Sequence, residues 1–166
     1  VLLFQERARS VGMPSDPSDT ASASVRGLVA RVEGLPLAIE LAAARARVLP
    51  PAALAERLTE TLDLLTEGAR DLPQRQRTLR ATLDWSYELL ADDERALLAR
   101  LSVFAGGITL HAIEAVVGTD SLPALATLVD NNLVRRIDAD APRFALLETI
   151  RDYAAEQLQA RGESAE

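Results

Sequence analysis

Glycines and prolines cut this chain into short segments, and most of those segments carry apolar residues at helical period. That punctuation is its strongest constraint. Val25, Leu28, Val29 and Val32 recur at the spacing of one helix face between about Ala21 and Glu33. Gly34 ends that run, as a glycine after a helix C-terminus often does. Pro36 can open the next helix, because the first helical N–H has no intrahelical partner to lose. Leu37, Leu41, Ala44 and Val48 then form a stripe, and Ala42-Ala43-Ala44 allows a neighbouring helix to approach closely. Pro50-Pro51 breaks this helix and can start another, which carries Leu54 and Leu58, with Leu62, Leu64 and Leu65 after it. Before all of these, Val1 to Ser10 reads as a short helix and Gly12 to Thr20 as a loop.

The stretch Gly68 to Gln76 is polar and holds Pro73, which makes it the expected domain boundary. Beyond it, Leu79, Thr82, Leu83, Ser86 and Leu90 share one helical face. Asp92 or Asp93 is placed to cap a helix carrying Leu97, Leu98, Leu101 and Phe104, which Gly106-Gly107 ends. Thr109 is placed to cap a helix ending near Val117, and Ser121 another that runs to Asn131 or Asn132. The period then changes. Leu133 to Asp138 and Arg143 to Leu146 read as two short strands of a hairpin, followed by a helix from Glu148 with Ile150, Tyr153, Ala154 and Leu158 inward. Three of these four helices, the hairpin and the last helix are the element order of a winged helix. The expected fold is therefore mainly α: a small helical domain over residues 1–70, then a winged-helix domain over 76–162. Trp85, Leu83, Leu98, Leu101, Phe104, Leu128 and Ile150 are its expected core.

Composition fits that fold and narrows the chemistry. Hydrophobic residues make up 48% of the 166 residues and aromatics only 4%, so the core is built chiefly of Leu, Ala and Val, and Leu and Ala favour helix. All 18 basic residues are Arg. Without Lys there is no Walker A phosphate loop of the G-x-x-x-x-G-K-[ST] kind. Without Cys there is no disulfide and no thiolate zinc site. The one His, His111, has no companion for a metal site or a catalytic triad, and it is expected in solvent on the first turn of a helix. No pair of carboxylates stands out as an acid and base, so no catalytic residue is expected, and the chain alone is not expected to be an enzyme. No apolar run approaches the roughly 20 residues that cross a bilayer, and a cytoplasmic location is expected. The opening residues, Val1-Leu2-Leu3-Phe4, read as an element already in progress in a longer polypeptide.

The net charge is −7 and the pI about 4.8, which disfavours non-specific attraction to DNA or anionic lipid. The imbalance lies in the second part. From Asp71 onward there are 16 acidic and 10 basic residues, a net of −6, against −1 for the first 70 residues. The helix from Ser121 to Asn132, in the position that reads the major groove in DNA-binding winged helices, has no Arg. Arg135 and Arg136 in the hairpin do not reverse the balance, so direct DNA contact by this segment is not expected.

The segment Gly34-Leu35-Pro36-Leu37-Ala38-Ile39-Glu40-Leu41-Ala42-Ala43-Ala44-Arg45 resembles the GLPLA motif of the NB-ARC/STAND signalling ATPases, in the version found in bacterial transcriptional regulators of the AfsR and large LuxR type. Three further stretches are similar to hallmarks of those proteins: Leu79 to Tyr87, Leu101 to Gly107 and Leu146 to Ala154. The resemblance implies an ARC-like helical domain over 1–70 and a winged helix after it, both working with an upstream P-loop domain. ATP or ADP lies between such domains and switches the assembly between open and closed states. The chain would then be the nucleotide-sensing lid of a transcriptional regulator, lacking the P-loop domain itself, and the whole protein could self-associate. The resemblance places Gly34, Pro36 and Leu37 at the adenine edge, with the Pro36 ring against the base. It also places the family's Met-His-Asp motif on Leu146-Leu147-Glu148, where Leu147 stands in place of the phosphate-binding His. Two other readings remain: a winged-helix DNA-binding module of a transcription factor, and a helical scaffold for protein interactions.

Overall fold

The computed structural model describes residues 1–10, 12, 19–46, 48–58, 73–118, 121–137 and 142–163. The chain divides into two compact units, Val1–Leu89 and Leu90–Glu166.

The first unit is helical among its described residues. Its elements are α1 (Leu2–Ser10), α2 (Asp19–Arg31), α3 (Pro36–Arg45), α4 (helical over 51–58) and α5 (Gln74–Glu88). Helix α3 is central. Ala38, Ala42 and Ala46 repeat every four residues and are buried with Ala43 and Ile39. Side chains this small let other helices come close, and α1 and α5 both pack on α3. Phe4 and Ala8 from α1, Val25, Leu28 and Val32 from the second helix and its end, Leu54 and Leu58 from α4, and Trp85 from α5 complete one core. Val48, expected on the α3 stripe, lies past the helix end and is 72% exposed. Leu62, Leu64 and Leu65 fall outside the described residues.

Helix α5 belongs to this unit, whereas the sequence assigns it to the winged helix from residue 76. Two polar contacts accompany its apolar packing. The buried Arg45 guanidinium, at the end of α3, donates to the Ser86 carbonyl at 2.9 Å. That oxygen sits in the last turn of α5, where carbonyls lack intrahelical partners and a cation is favoured. Thr78 donates to the Glu33 carboxylate at 2.9 Å. Trp85 and Leu83 are buried as expected, with Trp85 in the core of the first unit rather than in that of the winged helix.

The second unit runs α6 (Asp92–Leu101), β1 (Ile108–Thr109), α7 (Leu110–Val117), α8 (Leu122–Asp130), β2 (Arg135–Arg136), β3 (Arg143–Ala145) and α9 (Glu148–Ala160). The strands form an antiparallel sheet in the order β1-β3-β2, with Ile108 opposite Phe144 and Arg135 opposite Ala145. The hairpin is present, and β1 is a third strand that the sequence did not disclose. Helix α6 packs on α7, α8 and α9. Leu97, Leu98, Leu101, Ile113, Leu128 and Ile150 are fully buried, while Phe104 is only half-buried.

The helix starts differ in part from expectation. Thr109 caps α7, its hydroxyl accepting from the Ala112 N–H at 3.2 Å. At α6 the cap position is Ala91, not Asp92 or Asp93, and the Glu94 carboxylate accepts from the Ala91 N–H at 2.8 Å. This is the backward half of a capping box, and an alanine cannot supply the other half. Ser121 does not cap α8: its backbone is already helical, and its buried hydroxyl has no partner among the described residues. At the other end of the unit, Glu163 follows α9 and accepts from Arg100 of α6 at 2.7 Å and from Arg161 at 3.2 Å. The Arg100 bond, then the Arg161 bond, holds its carboxyl below the ordinary glutamate value.

Candidate functional site

The turn between α2 and α3 is the first surface with a definite shape. The Gly34 N–H donates to Val29 O and the Glu33 N–H to Ala30 O, both at 3.0 Å. These are the two bonds of a Schellman motif, which needs a left-handed residue at the position of Glu33. Glu33 has φ +53 and Gly34 φ +66. For Gly34 this conformation is free; for Glu33 it costs about 1–2 kcal/mol. Leu35 is extended at the N-cap of α3 and Pro36 opens the helix. The first intrahelical bond runs from Ile39 N–H to Leu35 O at 2.9 Å, so the N–H groups of Leu37 and Ala38 have no acceptor within the helix. No acidic residue stands in the first turn. Gly34 and Pro36 are exposed and Leu37 is half-buried. The edge thus offers a rigid apolar ring beside backbone donors at the positive end of a helix.

The second surface is the outer side of the helix-turn-helix. On α8, Leu122, Pro123, Ala126 and Asp130 are exposed. On α7, His111, Ala115 and Val116 are exposed, with His111 in the first turn as expected. Helices α7 and α8 carry no cationic side chain, and the wing that follows them does. Arg135, Arg136 and Arg143 are exposed on β2 and β3, and Arg143 reaches back to donate to Gly107 O at 3.1 Å. Gly107 leaves room for that contact, since a Cβ there would lie 3.2 Å from the Arg143 Nε and 3.0 Å from Ile137. Over residues 90–166 there are 13 acidic and 7 basic residues.

Leu147 takes the N-cap position of α9 and is half-buried, and Glu148 follows it, exposed. An apolar side chain there gives phosphate no hydrogen bond. Gly34, Pro36 and Leu37 lie together in the first unit, and Leu146, Leu147 and Glu148 lie in the second. Among the described residues no group of His, Cys, Asp and Glu could hold a metal ion, and no helix is long and apolar enough to cross a membrane. Sequence reasoning missed Glu33 and Thr78, bonded to each other beside the α2–α3 turn, and Arg45 at the far end of α3. The one trace of them is that charged and hydroxyl residues stand at positions which prove partly or fully buried.

The element order, with a strand between the first two helices and a wing after the third, agrees with a family comparison: residues 90–159 match the winged helix-turn-helix domain. The second unit is a winged helix-turn-helix domain. The chain as a whole is 42% identical over 171 residues to a Mycobacterium tuberculosis protein named as a proposed HTH-type transcriptional regulator, and equally to its Mycobacterium bovis counterpart. That alignment covers 99% of this chain but 19% of the relative. An uncharacterized M. tuberculosis protein is 37% identical, over 98% of this chain and 43% of its own length. The chain therefore corresponds to less than half of each of these relatives.

Proposed function

We propose that this chain is a regulatory module of a transcriptional regulator, and that its winged helix engages protein rather than base pairs. The observation that carries this reading is the outer face of α8. A helix that reads the major groove presents side chains that hydrogen-bond base edges and cations that meet phosphate. Helix α8 presents Leu122, Pro123 and Ala126, with Asp130 at its end. The name of the longer relatives supports a place in transcription control, and the acidic balance of residues 90–166 directs DNA contact to some other part of such a protein.

The test is fluorescence anisotropy with duplex DNA across a salt series. Binding should be no tighter than the non-specific range of about 10⁻⁴–10⁻⁶ M at physiological salt. Sequence-selective retention in the nanomolar range, lost on replacing residues of α8, would restore the DNA-reading alternative.

A second reading is favoured by the Gly34–Leu37 edge, where Gly34 and Pro36 are exposed, and by its GLPLA resemblance: in a protein that also carries a P-loop domain, this edge meets the adenine of ATP or ADP. Pro36→Gly removes the ring and frees the backbone at the helix start. In such a longer protein it should weaken ADP binding roughly ten- to hundredfold, the worth of one good apolar contact. Leu147→Ala should leave ADP affinity nearly unchanged. Calorimetry on both variants decides; a larger loss from Leu147→Ala, with folding intact, removes Pro36 from the adenine edge.

A further inference from the structure

We propose that Glu33 and Thr78 form a conformational latch, through which α5 holds the α2–α3 turn in its left-handed state and so fixes the Gly34–Pro36 edge. Two observations carry it together. The first is the backbone. Glu33 sits at φ +53, a conformation that Gly adopts freely and Glu does not. Such outliers persist where surrounding structure determines them. The Schellman bonds of the turn form equally well with Gly at this position, so they do not account for a glutamate. The side chain does: its Oε1 accepts from Thr78 Oγ1 at 2.9 Å, across 45 residues of sequence.

The second observation is the hydroxyl. Thr78 is 3% exposed, so its proton must find an acceptor. It has two within reach, Glu33 Oε1 at 2.9 Å and Gln74 O at 3.1 Å. One proton serves one acceptor fully. With the latch closed it goes to the carboxylate, the shorter and charged acceptor. With the latch open it turns to Gln74 O, and the buried hydroxyl stays satisfied. Opening therefore leaves no orphan on α5. Its whole consequence falls on Glu33, which keeps an unfavourable conformation without the bond that held it. A shift of α5 by about 1 Å would stretch the closed bond beyond hydrogen-bonding range. The position of α5 is thereby coupled to the edge at the start of α3. The nucleotide reading bears only on what would meet that edge; the latch is a property of these residues alone.

Hydrogen exchange on this chain tests it, read at the three hydrogen-bonded amides of the turn, Glu33, Gly34 and Leu35. Thr78→Val keeps the shape and removes the hydroxyl. It should speed exchange there about tenfold, equivalent to about 1.4 kcal/mol, with Leu28 in the core as the internal reference. Glu33→Ala should do the same, since it loses the bond and keeps the backbone cost. Glu33→Gly should leave the turn protected, and Thr78→Val added to Glu33→Gly should have no further effect on it. Thr78→Ser should behave as the unaltered chain. Unchanged exchange in Thr78→Val, or in Glu33→Ala should the valine variant fail to fold, overturns the latch. So does an effect of Thr78→Val that persists in the Glu33→Gly background. None of these outcomes depends on ADP, so they are separate from the Pro36 result.

Discussion

Trp85→Ala should destabilise the first unit by about 3–5 kcal/mol, the range for truncating a buried Trp. Trp85 is 3% exposed and lies in one core with Phe4, Ala8, Val25, Leu28 and the alanines of α3. Those alanines cannot expand into the space an indole leaves, so the cavity remains largely open. The loss should appear as faster amide exchange in α1, α3 and α5. A chain whose first unit is as protected after the change as before would show that α5 does not pack there. Trp85→Phe gives the contrast. The indole Nε1 is buried without a hydrogen-bond partner among the described residues. Phe keeps most of the ring's burial and removes that donor, so its cost should be a small fraction of the alanine cost.

The assignment of Trp85 shows where the sequence stopped being legible. Helical period and Gly/Pro punctuation located the helices, because both are local properties of the chain. The partner of a helix is not local. The polar stretch before α5 reads as a boundary, yet Trp85 shares one core with Phe4, 81 positions earlier. Nothing in the spacing of α5 distinguishes the two allegiances. The strands show a related limit. Leu133 and Val134 read as strand but lie outside it, because their N–H groups both donate to Leu128 O at the end of α8, at 3.0 and 3.2 Å. Asn132, at φ +57, sets up that turn. Conversely, β1 has two residues, too few for any alternation to show. The start of α3 was legible through Gly34 and Pro36. The left-handed backbone of Glu33 was not, since the sign of φ at a glutamate leaves no mark in composition or period, and its Thr78 partner is 45 residues away.

Leu101→Ala should cost about 2–5 kcal/mol, and Phe104→Ala about 1–2 kcal/mol, reversing the order that side-chain size alone would suggest. Leu101 is fully buried in the last turn of α6, the helix on which α7, α8 and α9 all pack. Removing three heavy atoms there leaves a cavity walled by several helices, none of which can close it without moving away from the others. Phe104 comes after α6 has ended, in the segment leading to β1, and is half-buried. Its ring already meets solvent, so truncation forfeits only part of a transfer free energy and opens no closed cavity. The measurement is denaturant unfolding of both variants, with amide exchange in α6, α8 and α9 to place the effect. If Phe104→Ala proves the costlier, the ring is a core element of the winged helix and α6 is not its centre. The comparison also bears on the protein-docking reading. The core of this unit gathers on α6, and the exposed residues of α8 stand outside it. Alanine or serine at Leu122 should therefore leave unfolding within about 0.5 kcal/mol of the unaltered chain, as surface changes generally do. A surface leucine so cheap to replace is free to serve a partner.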